Sequence, residues 1–198
     1  MRTLGWCGAL LCCFGFCSLL KGFGTVSPPK LDRAWKQYRN LQWNYCVSYP
    51  SRWLKGDAFD GAGLFVETGE KKFSKPLGEI DIAAISPIDG RDAHTQNVNL
   101  KADLEAHFDV LKRFERAERV QLLDQREIQL LGNSALFTKD RYYDPQERAT
   151  WLEELVLLKQ KDTLFRLELE CRDDQAARFE AVFSHVLETF RLDCSSLQ

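Results

Sequence analysis

Asp89, Asp92 and His94 fall within the segment PIDGRDAHTQN (residues 87–97) and form the tightest grouping of ligand-type side chains in the sequence. Two carboxylates and an imidazole could hold a divalent cation, but such sites need more oxygen donors in a fixed loop, or three to four nitrogen and sulfur donors at set spacing. The D-x-[DN]-x-[DN]-G pattern is not met, so the segment reads first as a polar loop around the Asp89-Gly90 turn, with the metal as the alternative. Glu79 and Asp81 share one strand face and Glu168 and Glu170 another. Paired carboxylates do acid/base work when a cleft holds them roughly 5–10 Å apart. Alternating acids on an antiparallel strand read more simply as its solvated side, with Arg166 available for cross-strand pairing. Nucleophilic hydrolysis needs a Ser or Cys beside a His and an orienting carboxylate, and no G-x-S-x-G occurs. His107 flanks the apolar stripe of one predicted helix and His185 lies within another, as helix-flank or partly buried histidines do. The expectation is no catalytic residue, no cofactor and no enzyme. The alternative is a metal-dependent or carboxylate-based small-ligand protein or enzyme.

The elements that would position these groups are legible in the periodicities. Trp43, Tyr45, Val47 and Tyr49 alternate with Asn44, Cys46 and Ser48, a half-buried strand stopped by Pro50. GLFVETG (63–69) and GEIDIAAISP (78–87) give two more strands. Leu100, Leu104, Phe108, Leu111 and Phe114 then recur at helical spacing, with Asn99 as N-cap and Asp103 in the first turn. Four strands follow, near 120–131, 134–143, 149–159 and 163–171, the first two joined by a Gly132-Asn133 hairpin turn. Phe165, Leu167, Leu169 and Cys171 make the apolar face of the last strand. Asp173 or Asp174 caps a second helix with a stripe of Ala176, Phe179, Phe183, Val186 and Phe190. Strands in blocks, joined by hairpins, predict an α+β domain on an antiparallel sheet of about six to seven strands with two main helices.

At the N-terminus, Arg2 precedes an uncharged apolar run from Leu4 to Leu20, the layout of a secretory signal peptide, with cleavage placed after Gly24. The predicted organisation is a signal at 1–24, a linker and lead-in segment at 25–41, and one domain at 42–194. A retained anchor is the alternative, its run being at the short edge of the roughly 17–25 residues that span a bilayer. Neither Cys13 nor Cys17 follows the small residues that lipidation requires. Loss of residues 1–24 takes Arg2 and Lys21 and no acids from the 27 Lys and Arg and 29 Asp and Glu, leaving a net charge of −4. That balance offers no basic face for nucleic acid. Cys46, Cys171 and Cys194 remain, an odd number, which permits one disulfide and one buried thiol in an oxidising compartment. The second helix should run back along the sheet for roughly 25 Å at ~1.5 Å per residue, carrying Cys194 away from Cys171. Cys46 is then the expected partner of Cys194.

The opening YCVSYPSRW, the helix in mid-chain, the late run of hairpins and the closing VFSHVLETFRL together resemble the PsbP-like superfamily. Its first strand reads as an aromatic, alternating segment ending in Tyr-Pro-x-x-Trp, matched by Tyr45, Val47, Tyr49, Pro50 and Trp53, and Thr189-Phe190 answers the dipeptide that closes its last helix. The resemblance spans about residues 42–192. It implies an α/β/α sandwich and a role in binding, as in the Ran-binding Mog proteins, and it assigns no catalytic residue. The resulting expectation is an exported, periplasmic or secreted, non-enzymatic module that binds a protein or an envelope component. Membrane association is expected only if residues 1–24 are retained. Tyr142 and Tyr143, before Asp144-Pro145, and Trp151 are the aromatic candidates for a partner surface.

Overall fold

The computed structural model describes residues 34–57, 63–67, 76–85, 100–113, 117–161 and 163–194. Its main sheet has seven strands, all antiparallel: β3 (Leu54–Asp57), β4 (Gly63–Val66), β5 (Gly78–Ile85), β9 (Thr163–Arg172), β8 (Ala149–Gln160), β7 (Asn133–Asp144) and β6 (Glu118–Leu130), in that spatial order. A second sheet of three strands has β2 (Tyr45–Pro50) between β1 (Trp35–Asn40) and β10 (Arg191–Leu192). Helix α2 (Ala176–Thr189) and the small sheet cover one face of the main sheet, and helix α1 (Leu100–Arg113) covers part of the other. The hairpin-linked strand blocks give the α+β class read from the sequence, and the α/β/α layering is the one that the resemblance to the PsbP-like superfamily implies.

Under α2 the core is continuous and aromatic. Phe179, Val182, Phe183, Val186 and Phe190 meet Phe165, Leu167 and Leu169 of β9 and Leu152 and Val156 of β8. Gly78 lets the helix in, since a Cβ there would collide with the ring of Phe179. The two sheets are tied by polar contacts that the buried strands would otherwise leave unmade. Tyr45 donates its hydroxyl hydrogen to the Ile82 carbonyl (3.1 Å) and accepts from the Gly63 amide (3.0 Å), while the Ser48 amide donates to Thr189 Oγ1 (3.1 Å). Cys46 of β2 is disulfide-bonded to Cys194, and Cys171 is a buried free thiol.

Several local features depart from the sequence reading. Residues 35–40, within the predicted lead-in segment, form β1 and place Tyr38 in the core. Strand β2 is buried on both faces because it is the central strand of its own sheet and lies against the main one. The β6–β7 turn is Leu131-Gly132, both residues at positive φ (53° and 74°), one residue earlier than Gly132-Asn133. Asn133 instead donates from Nδ2 to the Leu131 carbonyl at 3.0 Å, holding the strained residue in place. Asp173 and Asp174 do not cap α2: a single 3-10 turn intervenes, and the two acids pair with Arg141 (2.9 Å) and Arg172 (2.8 Å).

Candidate functional site

The face of the sheet beneath α1 is unusual in what it buries. Alternation along each strand sends every second side chain there, and the registers then align acids across neighbouring strands. Asp140 of β7 lies opposite Glu153 of β8, which lies opposite Glu170 of β9, which lies opposite Glu79 of β5. In the next row Leu155 is opposite Glu168 and Glu168 opposite Asp81. One row further, Arg166 brings the cation of the band, pairing with Glu168. The acids read from the sequence as two separate solvated strand faces therefore belong to one band, in which Asp140 is 0% and Glu153 1% exposed.

Helix α1 seals part of this band. Its Leu104 packs on Leu136, Leu155, Leu157 and Leu164, and Leu111 packs on Tyr142, Ala149 and Trp151. Between the two leucines, one helical turn from each, His107 points down onto the acids and is 6% exposed. Its Nδ1 lies 3.0 Å from Nη2 of Arg166. A guanidinium can only donate, so Nδ1 accepts, and the neutral ring carries its proton on Nε2, which lies against Glu153 Oε1 but without hydrogen-bond geometry, leaving both of these atoms without a hydrogen-bond partner among the described residues. Tyr142 donates its hydroxyl to Glu170. Neither carboxylate oxygen of Asp140 has a hydrogen-bond partner among the described residues, and the same holds for Oδ1 of Asp81.

The electrostatics follow from this crowding. Burial, reinforced by Glu168 and Glu170, pushes Asp140 up to about 7. Burial and then Glu168 push Asp81 up to about 6, with Arg166 opposing. Glu153 is raised well above the carboxylate range by burial first and by Glu168 and Asp140 after it. His107 moves the other way, down to about 4, because burial disfavours its imidazolium. One nitrogen and two carboxylates converge here: the donor atoms of His107, Asp140 and Glu153 lie within 4.8 Å of one another.

Sequence reasoning missed this constellation. His107 was read as a helix-flank histidine, and Asp140 and Glu153 were not singled out. The available signal was Glu153 itself, an acid at an inward position of ATWLEELVLLKQ, a strand otherwise buried on both faces. Asp89, Asp92 and His94, the metal candidates from the sequence, lie outside the described residues. Of the aromatic candidates, Tyr142 and Trp151 are interior, each 1% exposed beneath α1, so they pack the sheet and offer no outer surface. Tyr143 is half-buried, its ring under the guanidinium of Arg119 at 5.4 Å.

On the α2 side, an open groove of about 770 Å³ runs between the start of α2 and strands β6 to β8, lined by Leu123, Lys139, Arg141, Asp173, Arg178 and Glu180 among others. Its Lys139 and Arg141 are already matched, Lys139 to Glu180 (2.7 Å) and Glu154 (3.3 Å) and Arg141 to Asp173 (2.9 Å), so the groove presents no surplus charge to an ionic ligand.

No protein-family model and no curated protein matches the sequence. Solved structures do match. The solution structure of cyanobacterial PsbP (CyanoP) from Synechocystis sp. PCC 6803 is similar over 87% of this chain and 98% of its own, with a TM-score of 0.57 and 12% identity. LpqN of Mycobacterium tuberculosis, described as involved in cell envelope biogenesis, is similar over 81% of this chain and 91% of its own, at TM-score 0.51 and 16% identity. A Bacteroides thetaiotaomicron VPI-5482 structure matches over 79% of this chain and 48% of its own, at TM-score 0.52 and 13% identity. At these identities the likeness is one of fold, and the fold is PsbP-like.

Proposed function

Because the fold is PsbP-like, we propose that the protein is an exported, non-enzymatic binding or accessory module that engages another protein or an envelope component. The observation that carries this reading is the edge of the main sheet. Strand β6 is 13 residues long, ends the strand order, and is exposed along most of its length, with Leu122 and Leu123 46% and 37% exposed. An edge strand offers unpaired amides and carbonyls to an incoming extended segment, and apolar side chains beside them add affinity. Among the described residues, the clustered acids Asp140 and Glu153 are by contrast buried under α1, away from any substrate in solution.

The likeness to CyanoP and LpqN supports an accessory or binding role. A disulfide between Cys46 and Cys194 supports an oxidising compartment and hence export. No helix among the described residues is long and apolar enough to cross a membrane.

The test is a pull-down from the native compartment with the wild-type protein and the Leu122→Glu/Leu123→Glu variant in parallel. Both sites are exposed, so the variant should keep its stability within about 0.5 kcal/mol. The expected result is a partner retained by the wild type and lost by the variant. Equal retention by both removes β6 as the binding edge. N-terminal sequencing of the exported protein should begin at Thr25, and a chain that still begins at Met1 would replace secretion with anchoring.

A further inference from the structure

We propose that His107, Asp140 and Glu153 form a binding site for one divalent transition-metal ion of the zinc type, and that the ion clasps helix α1 onto strands β7 and β8. The three side chains come from three different elements, α1, β7 and β8, and each is almost completely buried. Two ligands on one zinc ion, each at ~2.0–2.2 Å, stand at most ~4.4 Å apart. The donor atoms here already lie within 4.8 Å, so a small rotation of one carboxylate closes the set.

The independent sign of a missing ligand is Asp140. Both of its oxygens are buried, aimed into the cluster, and without a hydrogen-bond partner among the described residues. A buried polar group left in that condition is costly, and two carboxylates facing each other compound the cost. Arg166 lowers the cost at Glu153 but does not relieve Asp140, because its hydrogen-bond and ion-pair contacts are the far nitrogen of His107 and Glu168. A divalent cation at the centre supplies the lacking positive charge and uses the second oxygen of Asp140 as a further donor. The donor set also narrows the ion: imidazole with carboxylates suits zinc and its first-row neighbours, whereas calcium takes six to eight oxygens.

Coordination has a specific protonic consequence. The ion occupies the lone pair of His107 Nε2, so the proton now on that nitrogen moves to Nδ1 and the ring stays neutral. A protonated Nδ1 cannot accept from Arg166, so metal binding exchanges the His107–Arg166 contact for the ion and leaves Arg166 to Glu168. The two states of His107 are therefore distinguishable by ring nitrogen resonances as well as by affinity.

The experiment uses the full mature chain, stripped with a chelator and titrated with zinc, cobalt and calcium chlorides. Zinc should bind at one ion per chain by calorimetry and raise Tm, cobalt should give the visible absorption of a nitrogen- and oxygen-ligated ion, and calcium should do neither. Asp140→Asn and His107→Gln keep side-chain volume and should lose the zinc response. Should either variant fail to fold, hydrogen exchange on the wild type decides the matter, since zinc must slow the amides of residues 100–113 more than those of α2. A control variant, Asp89→Asn/Asp92→Asn/His94→Gln, should keep the full response. The proposal is overturned if zinc leaves Tm unchanged, if Asp140→Asn responds like the wild type, if the loop variant is the one that loses the response, or if cobalt shows thiolate charge-transfer bands from Cys171.

Discussion

The two faces of the main sheet are built from the same strands and yet are held by different physics. On the α2 side the inward side chains are apolar apart from Glu154, which Lys139 pairs at the rim of the groove, and Phe165, Phe179, Phe183 and Phe190 share one core with the aromatic residues of the small sheet. On the α1 side two small apolar patches, around Leu104 and around Leu111, are separated by the band of acids under His107. Apolar burial is non-directional and each contact stands without the others. Polar burial is conditional: Glu153 is tolerable only while His107, Arg166 and a proton or a cation compensate it. The comparison teaches that α2 is the structural face of this domain and α1 the face whose stability can respond to conditions.

The largest test of that contrast is a pair of truncations. Phe183→Ala, in the fully buried α2 core, should cost about 3–5 kcal/mol in urea denaturation, through lost transfer energy and the cavity left behind. Leu104→Ala should cost about 2–3 kcal/mol, the lower part of the range for leucine, because its patch is small. It should release the α1 amides to exchange while those of α2 stay protected. Equal costs, with both helices released together, would mean that the two faces unfold as one unit and the contrast is only compositional.

Second in size is the disulfide. Cys46 and Cys194 are separated by 148 residues, so the bond restricts nearly the whole unfolded chain. The loop-entropy argument gives about 5 kcal/mol and measured bonds of this kind typically give about 2–4 kcal/mol. Reduction should therefore lower the denaturation midpoint strongly. It should leave exchange in α1 near its original rate, since the bond ties β2 to the segment after α2 and touches nothing on the α1 side.

How much of this was legible in the sequence follows the same division. The α2 face announced itself: Phe165, Leu167, Leu169 and Cys171 alternate, and Phe179, Phe183, Val186 and Phe190 recur at helical spacing, so the fold class could be read from periodicity, whereas the covering of both faces came with the PsbP-like resemblance. The small sheet could not, because β1 is mostly polar and exposed and β10 is two residues long; both exist by pairing with β2 across long stretches of chain. The polar band was hidden for another reason. Glu79, Asp81, Glu168 and Glu170 look like a solvated strand face in one dimension, and only the register Glu79↔Glu170 and Asp81↔Glu168 puts them side by side. His107 joins them from a helix 33 residues before Asp140, a juxtaposition that local pattern cannot predict.

The smallest expected effect isolates the α1 face by titration of the chelated protein. Asp140 is held up to about 7 and Asp81 up to about 6, whereas in the unfolded chain both ionise near ~3.9. Between about pH 4 and 7 the native state therefore binds more protons than the unfolded state, and stability must fall as pH rises through that window. His107 acts with the opposite sign: its native value of about 4 lies below its unfolded value near ~6.5, so its contribution is complete above ~6.5 and is lost as pH falls toward 4. Two raised acids outweigh one depressed histidine throughout that window, so the net slope is downward: Tm should decline as pH rises from about 4 to about 7, with His107 only making the decline shallower below ~6.5. Asp140→Asn removes the larger acidic contribution; it should stabilise the chelated protein by about 1–2 kcal/mol at pH 8, fade toward no effect near pH 5, and flatten the decline to what Asp81 and Glu153 sustain. A wild-type Tm that stays level from pH 5 to 8 would mean that the acids under α1 are already compensated without a proton or an ion, and the two faces of the sheet would then differ in composition but not in what holds them.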